Sequence, residues 1–485
     1  MKYLSIIKFT AFFICSLSII IKIFLKFLDK ICGKFDLELI LFNVLQNNKG
    51  VDFGIVIIGL KYLGIVAFQI LLLYFIIYKS SCLIKRIIKS PQKQNLFNAL
   101  FIIIIFALAV IQFSYVSYDF NQKSDVLNFV RQFASSKDVP PSEDFILQNY
   151  KVPDISKVRF TKKQSAVVIL VESYEQSFFS EFAIPPLKQR ISLKDAQCIK
   201  KYESASNMNF TIGALTAWHF GLPLKLPFKD LNEYVSPNGF LPNAKSVFDI
   251  LHQNGFKLSL IMGSDSNFSG KKLLFEGHGN FVIKDKNYWN KLGYDKNENK
   301  GTGWGYSDNF TLTMAKDELQ SLVQSSNPFV LVIELVDTHF PSGYSPKEFS
   351  NFGDIRDSID YVGYEVNNFI KFVQELNIAD LSLIVLGDHN FMGAPDFIKG
   401  VPNRYVFNSF YNVKKKIPKQ KLSQKISAID IAPTLLQVCG GDWDSNQFGL
   451  GISLFSEDKS LIEKMGTKVF NEQVKKKSSF YEKFY

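Results

Sequence analysis

The sequence predicts an α/β protein that follows a set of membrane-crossing helices. Short apolar runs of the kind found in buried strands of parallel sheets recur along the chain; they occupy residues 166–171, 258–262, 329–336 and 381–386. Stretches of helical character alternate with these runs, at residues 244–254, 358–377 and 427–438. Such alternation indicates a mainly parallel central sheet covered by helices. Long apolar stretches near the N-terminus indicate the membrane helices.

The membrane helices are predicted over residues 5–25, 54–78 and 97–117, each long enough to cross a bilayer. Residues 5–25 also have the length of a signal peptide, but no small-residue cleavage site follows them and two further apolar stretches do. The loop at residues 79–96 carries five Lys or Arg residues and no acid. Such loops lie on the cytoplasmic side. Three spans would then place the N-terminus inside and everything after Tyr118 outside.

Composition divides the chain into four segments. We expect a membrane domain at residues 1–118, a polar, proline-containing connecting arm at 119–160, an α/β domain at 161–456 and a lysine-rich tail at 457–485. The tail is expected to be either a surface helix or partly disordered. The net charge of +11 comes from lysines that are scattered or that flank apolar spans, so we expect no nucleic-acid partner.

The cysteines indicate neither a metal site nor an extensive disulfide framework. The sequence has five cysteines and no CxxC pair. A bridge between Cys198 and Cys439 is the one pairing that we considered.

Asp388 and His389 are the first candidates for a functional site. They follow the apolar run 381–386 and Gly387, and open α/β sheets bind ligands beyond the carboxyl ends of such strands. A carboxylate oxygen beside an imidazole supplies half of a divalent-metal site. Glu172 directly follows the run 166–171 and could complete that site. The alternative for each residue is a turn or helix-capping role.

Thr211 stands between a polar stretch and an apolar stretch of helical character. The simpler interpretation is that it caps the helix. The functional one is that the helix N-terminus receives a phosphate, while a neighbouring metal lowers the hydroxyl pKa and makes Thr211 a nucleophile.

Two further residues could take part in binding. Lys271, near a glycine, could bind a phosphate, and His339, after the run 329–336, could bind substrate or act as an acid or base. The other histidines in the predicted catalytic domain are interpreted as structural: His219, His252 and His278.

Together these stretches resemble a known family. Residues 166–172, 210–224, 268–271, 386–389 and 427–435, with His339, resemble the lipid-dependent phosphoglycerol transferases of the alkaline phosphatase/sulfatase superfamily. The resemblance covers residues 160–455 and includes phosphoglycerol transferases I and, more distantly, lipoteichoic acid synthases. It implies a sulfatase-like fold for the catalytic domain.

The resemblance also implies roles for individual residues. Glu172, Thr211, Asp388 and His389 match the metal shell, with Thr211 as the nucleophile. Lys271 stands where lipoteichoic acid synthases have an arginine that holds the phosphate. A lysine is a point charge rather than a bidentate fork. His339 matches a histidine that contacts the phosphoglycerol.

The metal expected from this donor set is Mn²⁺, with Mg²⁺ or Zn²⁺ as alternatives. The expected donor is phosphatidylglycerol and the expected acceptor a periplasmic or surface glycan. The expected location is the bacterial inner membrane, with the catalytic domain on its outer side. Sulfatases mature a Cys or Ser in a C/S-x-P-x-R motif, whereas Cys198 here precedes Ile-Lys-Lys, which argues against sulfate ester hydrolysis.

Three other functions remain open on the sequence alone. A phosphoethanolamine transferase would share the metal, the threonine and the topology. A phosphodiesterase or phosphatase would use water as the acceptor. A catalytically silent, membrane-anchored protein would bind lipid or glycan without reaction.

Overall fold

The protein forms two compact units. The computed structural model describes residues 2–32, 53–123, 138–183, 187–225, 239–295, 297, 299–341, 343–392 and 395–485. One unit contains the described residues up to Lys123, and the other contains those from Asp138 onward.

The described part of the first unit consists of three long helices: α1 (Lys2–Cys32), α2 (Phe53–Ile87) and α3 (Pro91–Lys123). The stretches Ile57–Ile87 and Pro91–Tyr115 are long and apolar enough to cross a membrane. The predicted span at residues 5–25 lies within α1 and is helical, as expected. Two candidate spans are therefore identified in the described part of this unit, rather than the three expected from the sequence.

The second unit is built on a six-stranded sheet of order β5-β4-β6-β2-β7-β8. Its strands are β2 (Ser165–Val171), β4 (Lys257–Met262), β5 (Val282–Lys284), β6 (Phe329–Glu334), β7 (Leu381–Gly387) and β8 (Asn408–Tyr411). The four apolar runs predicted as strands are β2, β4, β6 and β7. Five strands run parallel, and β8 pairs antiparallel with β7, so the sheet is mixed.

The remaining strands are short and lie outside the central sheet. They are β1 (Arg159–Phe160), β3 (Lys201–Tyr202), β9 (Lys425–Ile426), β10 (Gly441–Asp442), β11 (Gln447–Phe448) and β12 (Gly451–Ile452). They form the pairs β1-β10, β3-β9 and β11-β12.

The described part of the second unit also contains helices. They are α4 (Phe145–Asn149), α5 (Thr211–Phe220), α6 (Val247–Gln253), α7 (Lys271–Gly277), α8 (Lys286–Lys291), α9 (Asp308–Gln324), α10 (Ile355–Glu375), α11 (Ile431–Val438), α12 (Leu461–Met465) and α13 (Thr467–Lys475). Helix α9 packs against β4, β6 and α10, and α5, α6 and α11 form a second group. The strands between them are almost completely buried.

The described part of the expected connecting arm packs against the C-terminal segment. Phe145 is buried and meets the ring of Phe470 edge-on, with 6.5 Å between centroids. Asp144 accepts a hydrogen bond of 2.7 Å from the Ser478 hydroxyl. The lysine-rich tail is therefore ordered in the structure, because Phe470 and Val474 lie four residues apart on one buried face of α13.

The cysteines whose side chains are described are free thiols: Cys15, Cys82, Cys198 and Cys439. Cys198 is exposed and Cys439 is buried, so the bridge considered from the sequence is not formed.

Candidate active site

The candidate site lies where β2 and β7 end side by side. Val171 and Gly387 are the last paired residues of these two parallel strands. Glu172 and Asp388 follow them directly, so the register places both carboxylates at the same edge of the sheet. Ser173 joins them, because its backbone N–H donates to Asp388 Oδ1 (2.7 Å) and its hydroxyl donates to Glu172 Oε1 (2.7 Å).

His389 adds an imidazole to the two carboxylates. Its Nδ1 is 2.8 Å from the carbonyl oxygen of Asn390, which can only accept a hydrogen bond, so Nδ1 carries the proton. The lone pair on Nε2 is then free to bind a metal. Nε2 lies 3.4 Å from Glu172 Oε1 and 3.4 Å from Asp388 Oδ2.

These three groups fit a divalent cation. One ligand atom from each of Glu172, Asp388 and His389 lies within 4.8 Å of the others, and all three side chains are buried. Asp388 Oδ2 is buried without a hydrogen-bond partner in the structure. A buried carboxylate oxygen without a donor is costly, and a cation would satisfy it. Two hard oxygen ligands and one imidazole suit Mn²⁺, Mg²⁺ or Zn²⁺.

The electrostatics of the cluster also indicate a need for positive charge. Burial opposes ionisation of Glu172, but the nearby His389 and His339 offset it and lower the Glu172 pKa. Burial and the charge of Glu172 together raise the pKa of Asp388 to about 7. Burial lowers the pKa of His389, but Asp388 and Glu172 reverse that effect and raise it overall. Adjacent buried carboxylates thus repel each other.

Thr211 joins the cluster through its hydroxyl. It is the first residue of α5, and its Oγ1 donates to Glu172 Oε2 over 3.1 Å. The N-cap of this helix is Phe210, which has no side chain able to cap it. Thr211 is therefore not the N-cap, and its half-buried hydroxyl faces the metal-binding candidates at the N-terminus of the helix. The four residues that the sequence predicted as a metal shell are brought together.

Lys271 pairs with a buried residue outside the carboxylate-imidazole cluster. It begins α7 and its ammonium is 2.5 Å from Glu334 Oε1, at the end of β6. Both side chains are buried. No hydrogen bond joins Lys271 to the carboxylate-imidazole cluster in the described structure. The partner Glu334 was not identified from the sequence.

His339 lies beside the cluster, on the segment that follows β6. The neighbouring Thr338 fixes this segment, because its hydroxyl donates to the backbone carbonyl of Glu172 (2.5 Å). The imidazole Nδ1 donates to the carbonyl of Phe340 (2.6 Å), and the ring centroid is 4.8 Å from that of Trp304. The ring is half-buried, and among the described residues Nδ1 alone takes part in a hydrogen bond, so Nε2 can accept one from a ligand.

Two buried aspartates link the loop that carries Trp304 to the segment that carries His339. Asp308 begins α9 and accepts the backbone N–H groups of Val336 (2.7 Å) and Asp337 (3.0 Å). Asp337 in turn accepts the N–H groups of Asp308 (2.7 Å) and Thr302 (3.3 Å). The reciprocal contacts hold the two segments together.

Several residues of the site had weak signals or none in the sequence. Ser173 and Thr338 are polar residues directly beside predicted strand ends, so their positions carried some signal. Trp304 and Glu334 carried none, because their partners His339 and Lys271 are distant in the chain. Of the remaining histidines, His219 is buried against aromatic rings and burial lowers its pKa to about 3, which agrees with a structural role.

The chain is similar in sequence to known proteins. The family model described as "Sulfatase" matches residues 222–441. The chain is 26% identical over 324 residues to phosphoglycerol transferase I of Xanthomonas campestris pv. campestris, which covers 64% of this chain and 45% of that protein. It is 23% identical over 345 residues to lipoteichoic acid synthase 2 of Bacillus subtilis, covering 65% and 51% respectively.

One solved structure covers most of the chain. It is the integral membrane lipooligosaccharide phosphoethanolamine transferase A of Neisseria meningitidis, with a TM-score of 0.50 and 15% identity over 88% of this chain and 83% of that one. This identity supports a shared fold alone. The present chain spans less than half the length of the phosphoglycerol transferase I that it matches. Residues 222–441 thus match a sulfatase family model, and the chain is similar in sequence to the phosphoglycerol transferases I.

Proposed function

We propose that this protein is a metal-dependent transferase that moves phosphoglycerol from phosphatidylglycerol to a hydroxyl of a periplasmic or surface glycan. The observation that supports this most directly is the position of Thr211. Its hydroxyl lies at a helix N-terminus and donates to Glu172, within a carboxylate-imidazole cluster that fits a divalent cation. The similarity to phosphoglycerol transferases I supports the choice of phosphoglycerol as the transferred group.

The residues of the chain have distinct parts in this reaction. Glu172 orients the Thr211 hydroxyl, and the free N–H groups at the start of α5 face the incoming phosphate. Asp388 and His389 complete the metal shell, with Ser173 and the Asn390 carbonyl fixing their orientation. A divalent cation bound there, most suitably Mn²⁺, would lower the pKa of the threonine hydroxyl and offset charge on the phosphoryl oxygens.

The first half of the reaction forms a covalent adduct on the protein. Thr211 Oγ1 forms a bond to phosphorus, and the bond from phosphorus to the diacylglycerol oxygen breaks. The threonine proton is lost and the diacylglycerol oxygen gains one. The product is a phosphoglycerol ester of Thr211 and free diacylglycerol.

In the second half, an acceptor hydroxyl attacks the same phosphorus and the Thr211 oxygen leaves. His339, whose Nε2 is not used in its own backbone contact, takes the proton from the acceptor hydroxyl, and the departing Thr211 oxygen gains one, so the hydroxyl of Thr211 is restored. Lys271 supplies a cation for the phosphoryl oxygens, and Glu334 holds its ammonium in place. Transfer in two halves predicts ping-pong kinetics.

The membrane helices fit a lipid donor. We infer that the first unit crosses the bacterial inner membrane, with the basic segment 79–96 in the cytoplasm and the second unit on the outer side. The structure corrects the expected loop at 79–96, because α2 continues to Ile87 and α3 begins at Pro91. The two apolar candidate spans and the basic residues at the ends where these helices meet support this topology. Anchoring raises the effective concentration of a lipid donor at the site.

The test is the intact mass of the full chain after incubation with Mn²⁺ and vesicles that contain phosphatidylglycerol, without acceptor. We expect a mass gain of one phosphoglycerol, located on Thr211 by peptide mapping. The Thr211→Ala variant should show no gain, whereas Thr211→Ser keeps a hydroxyl and serves as the matched control. Turnover by Thr211→Ala would exclude Thr211 as the nucleophile.

Other outcomes identify the competing functions. A gain only with phosphatidylethanolamine would identify a phosphoethanolamine transferase. Release of free glycerol phosphate without an adduct would indicate direct hydrolysis. Absence of metal binding and of any product would indicate a silent lipid- or glycan-binding protein.

A further inference from the structure

A groove of about 340 Å³ lies between α1 and α2 in the first unit. Isoleucine side chains form much of its walls, from Ile23 on α1 and from Ile58 and Ile65 on α2. The groove is not purely apolar, however. Four polar side chains also line it: Lys26, Lys61, Tyr62 and Gln69.

The packing of the two helices places both lysines near the same end of the groove. Phe27 meets Tyr62 with 5.6 Å between ring centroids, and its ring lies 3.8 Å from the position that a Cβ on Gly59 would take. The C-terminal part of α1 therefore lies against the N-terminal part of α2. On α2, Lys61, Ile65 and Gln69 are each four residues apart, so they lie on one face of the helix.

Among the residues that the structure describes, no carboxylate pairs with the two lysines of this groove. Helix α2 contains no Asp or Glu. In the described part of the chain, neither Lys26 nor Lys61 forms an ion pair. An ionisable group between apolar helices is costly unless a partner of opposite charge reaches it. The groove therefore offers two cations to an anion from outside the chain.

The depth of the lysines suits a lipid headgroup. Lys26 lies six residues before the end of α1 and Lys61 eight residues after the start of α2. These separations correspond to about 9 Å and about 12 Å along the helices. Lysines at such depths extend their ammonium groups toward the headgroup region. The neighbouring isoleucines line the hydrocarbon side of the same groove.

We propose that this groove binds one anionic phospholipid, with its phosphate between Lys26 and Lys61 and an acyl chain along the isoleucines. Tyr62 and Gln69 supply hydrogen bonds to the glycerol and ester oxygens. The proposal rests on the membrane embedding proposed above and not on the transfer reaction. Because the bound class includes phosphatidylglycerol, the groove would hold the proposed donor lipid in the leaflet where α1 ends.

The experiment uses the full chain in phosphatidylcholine vesicles that contain a phosphatidylglycerol with a photoactivatable acyl chain. After illumination, labelled peptides are identified by mass spectrometry. We expect the labelled peptides to come from the groove segments of α1 and α2. Excess unlabelled phosphatidylglycerol should prevent this labelling, whereas additional phosphatidylcholine should not. Each basic residue near an anionic surface contributes roughly fivefold in affinity. Lys26→Gln/Lys61→Gln should therefore weaken competition about 25-fold.

Two control variants separate charge from folding. Lys26→Arg/Lys61→Arg keeps both charges and should retain the labelling. Lys85→Gln removes one charge at the opposite end of α2 and should also retain it. Equal labelling of wild type and Lys26→Gln/Lys61→Gln would overturn the proposal, as would equal competition by phosphatidylcholine, which would indicate nonspecific lipid contact.

The same preparations distinguish this proposal from the proposed reaction. If the groove is labelled but Thr211 gains no adduct from any lipid, the lipid site stands and the transfer reaction fails. If Thr211 gains its adduct while labelling is independent of Lys26 and Lys61, the reaction stands and the lipid site is excluded.

Discussion

At the scale of single residues, Ser173 connects both carboxylates of the site. It has a positive φ of 52°, a backbone conformation that non-glycine residues adopt mainly under functional or structural constraint. This conformation lets its N–H reach Asp388 while its hydroxyl reaches Glu172. Ser173→Ala removes the hydroxyl and leaves Glu172 less constrained. Loss of a hydrogen bond that orients a metal ligand typically weakens metal affinity about 10–100-fold.

Metal titration by calorimetry measures this effect. Ser382→Ala is the matched control, because Ser382 is buried near the start of β7, where its hydroxyl contacts only the carbonyl of Asn412 among the hydrogen bonds described. It should leave metal affinity unchanged. Equal affinity of wild type and Ser173→Ala would show that Ser173 does not orient Glu172.

The buried pair of Lys271 and Glu334 combines a structural role with a proposed catalytic one, and two variants can separate them. Lys271→Met leaves the Glu334 carboxylate buried without its partner, which costs about 3–5 kcal/mol of unfolding free energy. Adding Glu334→Gln removes the stranded charge, so the double variant should recover most of that stability. It should not recover transfer activity, because the cation for the phosphoryl oxygens is still missing.

Chemical denaturation and the Thr211 adduct assay measure the two quantities on the same proteins. Glu334→Gln alone keeps the lysine and shows the cost of removing the carboxylate. Recovery of activity in the double variant would assign Lys271 a purely structural role.

At the scale of elements, the first turn of α5 depends on close packing at Gly213. A Cβ at this position would lie 2.7 Å from the backbone carbonyl oxygen of Asn207. Gly213→Ala should therefore displace the start of α5 and move the Thr211 hydroxyl away from Glu172. Since a misplacement of about 1 Å costs on the order of 100-fold in rate, we expect a loss of that size in adduct formation.

The control is Gly277→Ala at the end of α7, where an added Cβ would meet no atom within 4 Å. This change should leave the rate of adduct formation unchanged. The rate is followed by quenched-flow mass spectrometry with saturating donor. An unchanged rate for Gly213→Ala would show that the start of α5 tolerates the shift.

The buried pair Asp308 and Asp337, which links the start of α9 to the segment after β6, should make the stability of the second unit depend on pH. Burial raises the pKa of Asp308 to about 7, and burial together with the charge of Asp308 raises that of Asp337 well above its usual range. The folded state thus binds more protons than the unfolded state between the ordinary carboxyl range and about pH 7. Stability is greatest on the acidic side of this window and falls as the pH rises through it.

Asp337→Asn should flatten this dependence. The Asn oxygen can still accept the 2.7 Å bond from Asp308 N–H, and only the longer contact to Thr302 is lost. Urea denaturation of both proteins across this pH range measures the difference in slope. Parallel curves for wild type and Asp337→Asn would show that this pair does not bind the extra proton.

At the scale of the whole molecule, the sequence predicted the parts of the fold that depend on local patterns. The four apolar runs are strands, and Glu172 and Asp388 meet because polar residues follow two strands that are neighbours. The strand order and the antiparallel β8 could not be predicted, because they depend on pairing between distant segments. The partner of Lys271 could not be predicted for the same reason. The sequence also left open whether the C-terminal segment is a surface helix or partly disordered, because its packing depends on residues far away in the chain.

The proposed topology can be tested with two cysteines that the protein already has. Cys82 is exposed near the end of α2, within the segment expected in the cytoplasm, and Cys198 is exposed in the second unit, expected on the outer side. In single-cysteine variants of the full chain, a membrane-impermeant maleimide added to intact spheroplasts should label Cys198 and not Cys82. Permeabilisation should then expose Cys82, which controls for its intrinsic reactivity. Labelling of Cys82 alone in intact spheroplasts would show that the topology is the reverse of the proposed one. The candidate active site would then lie in the cytoplasm, away from any surface glycan.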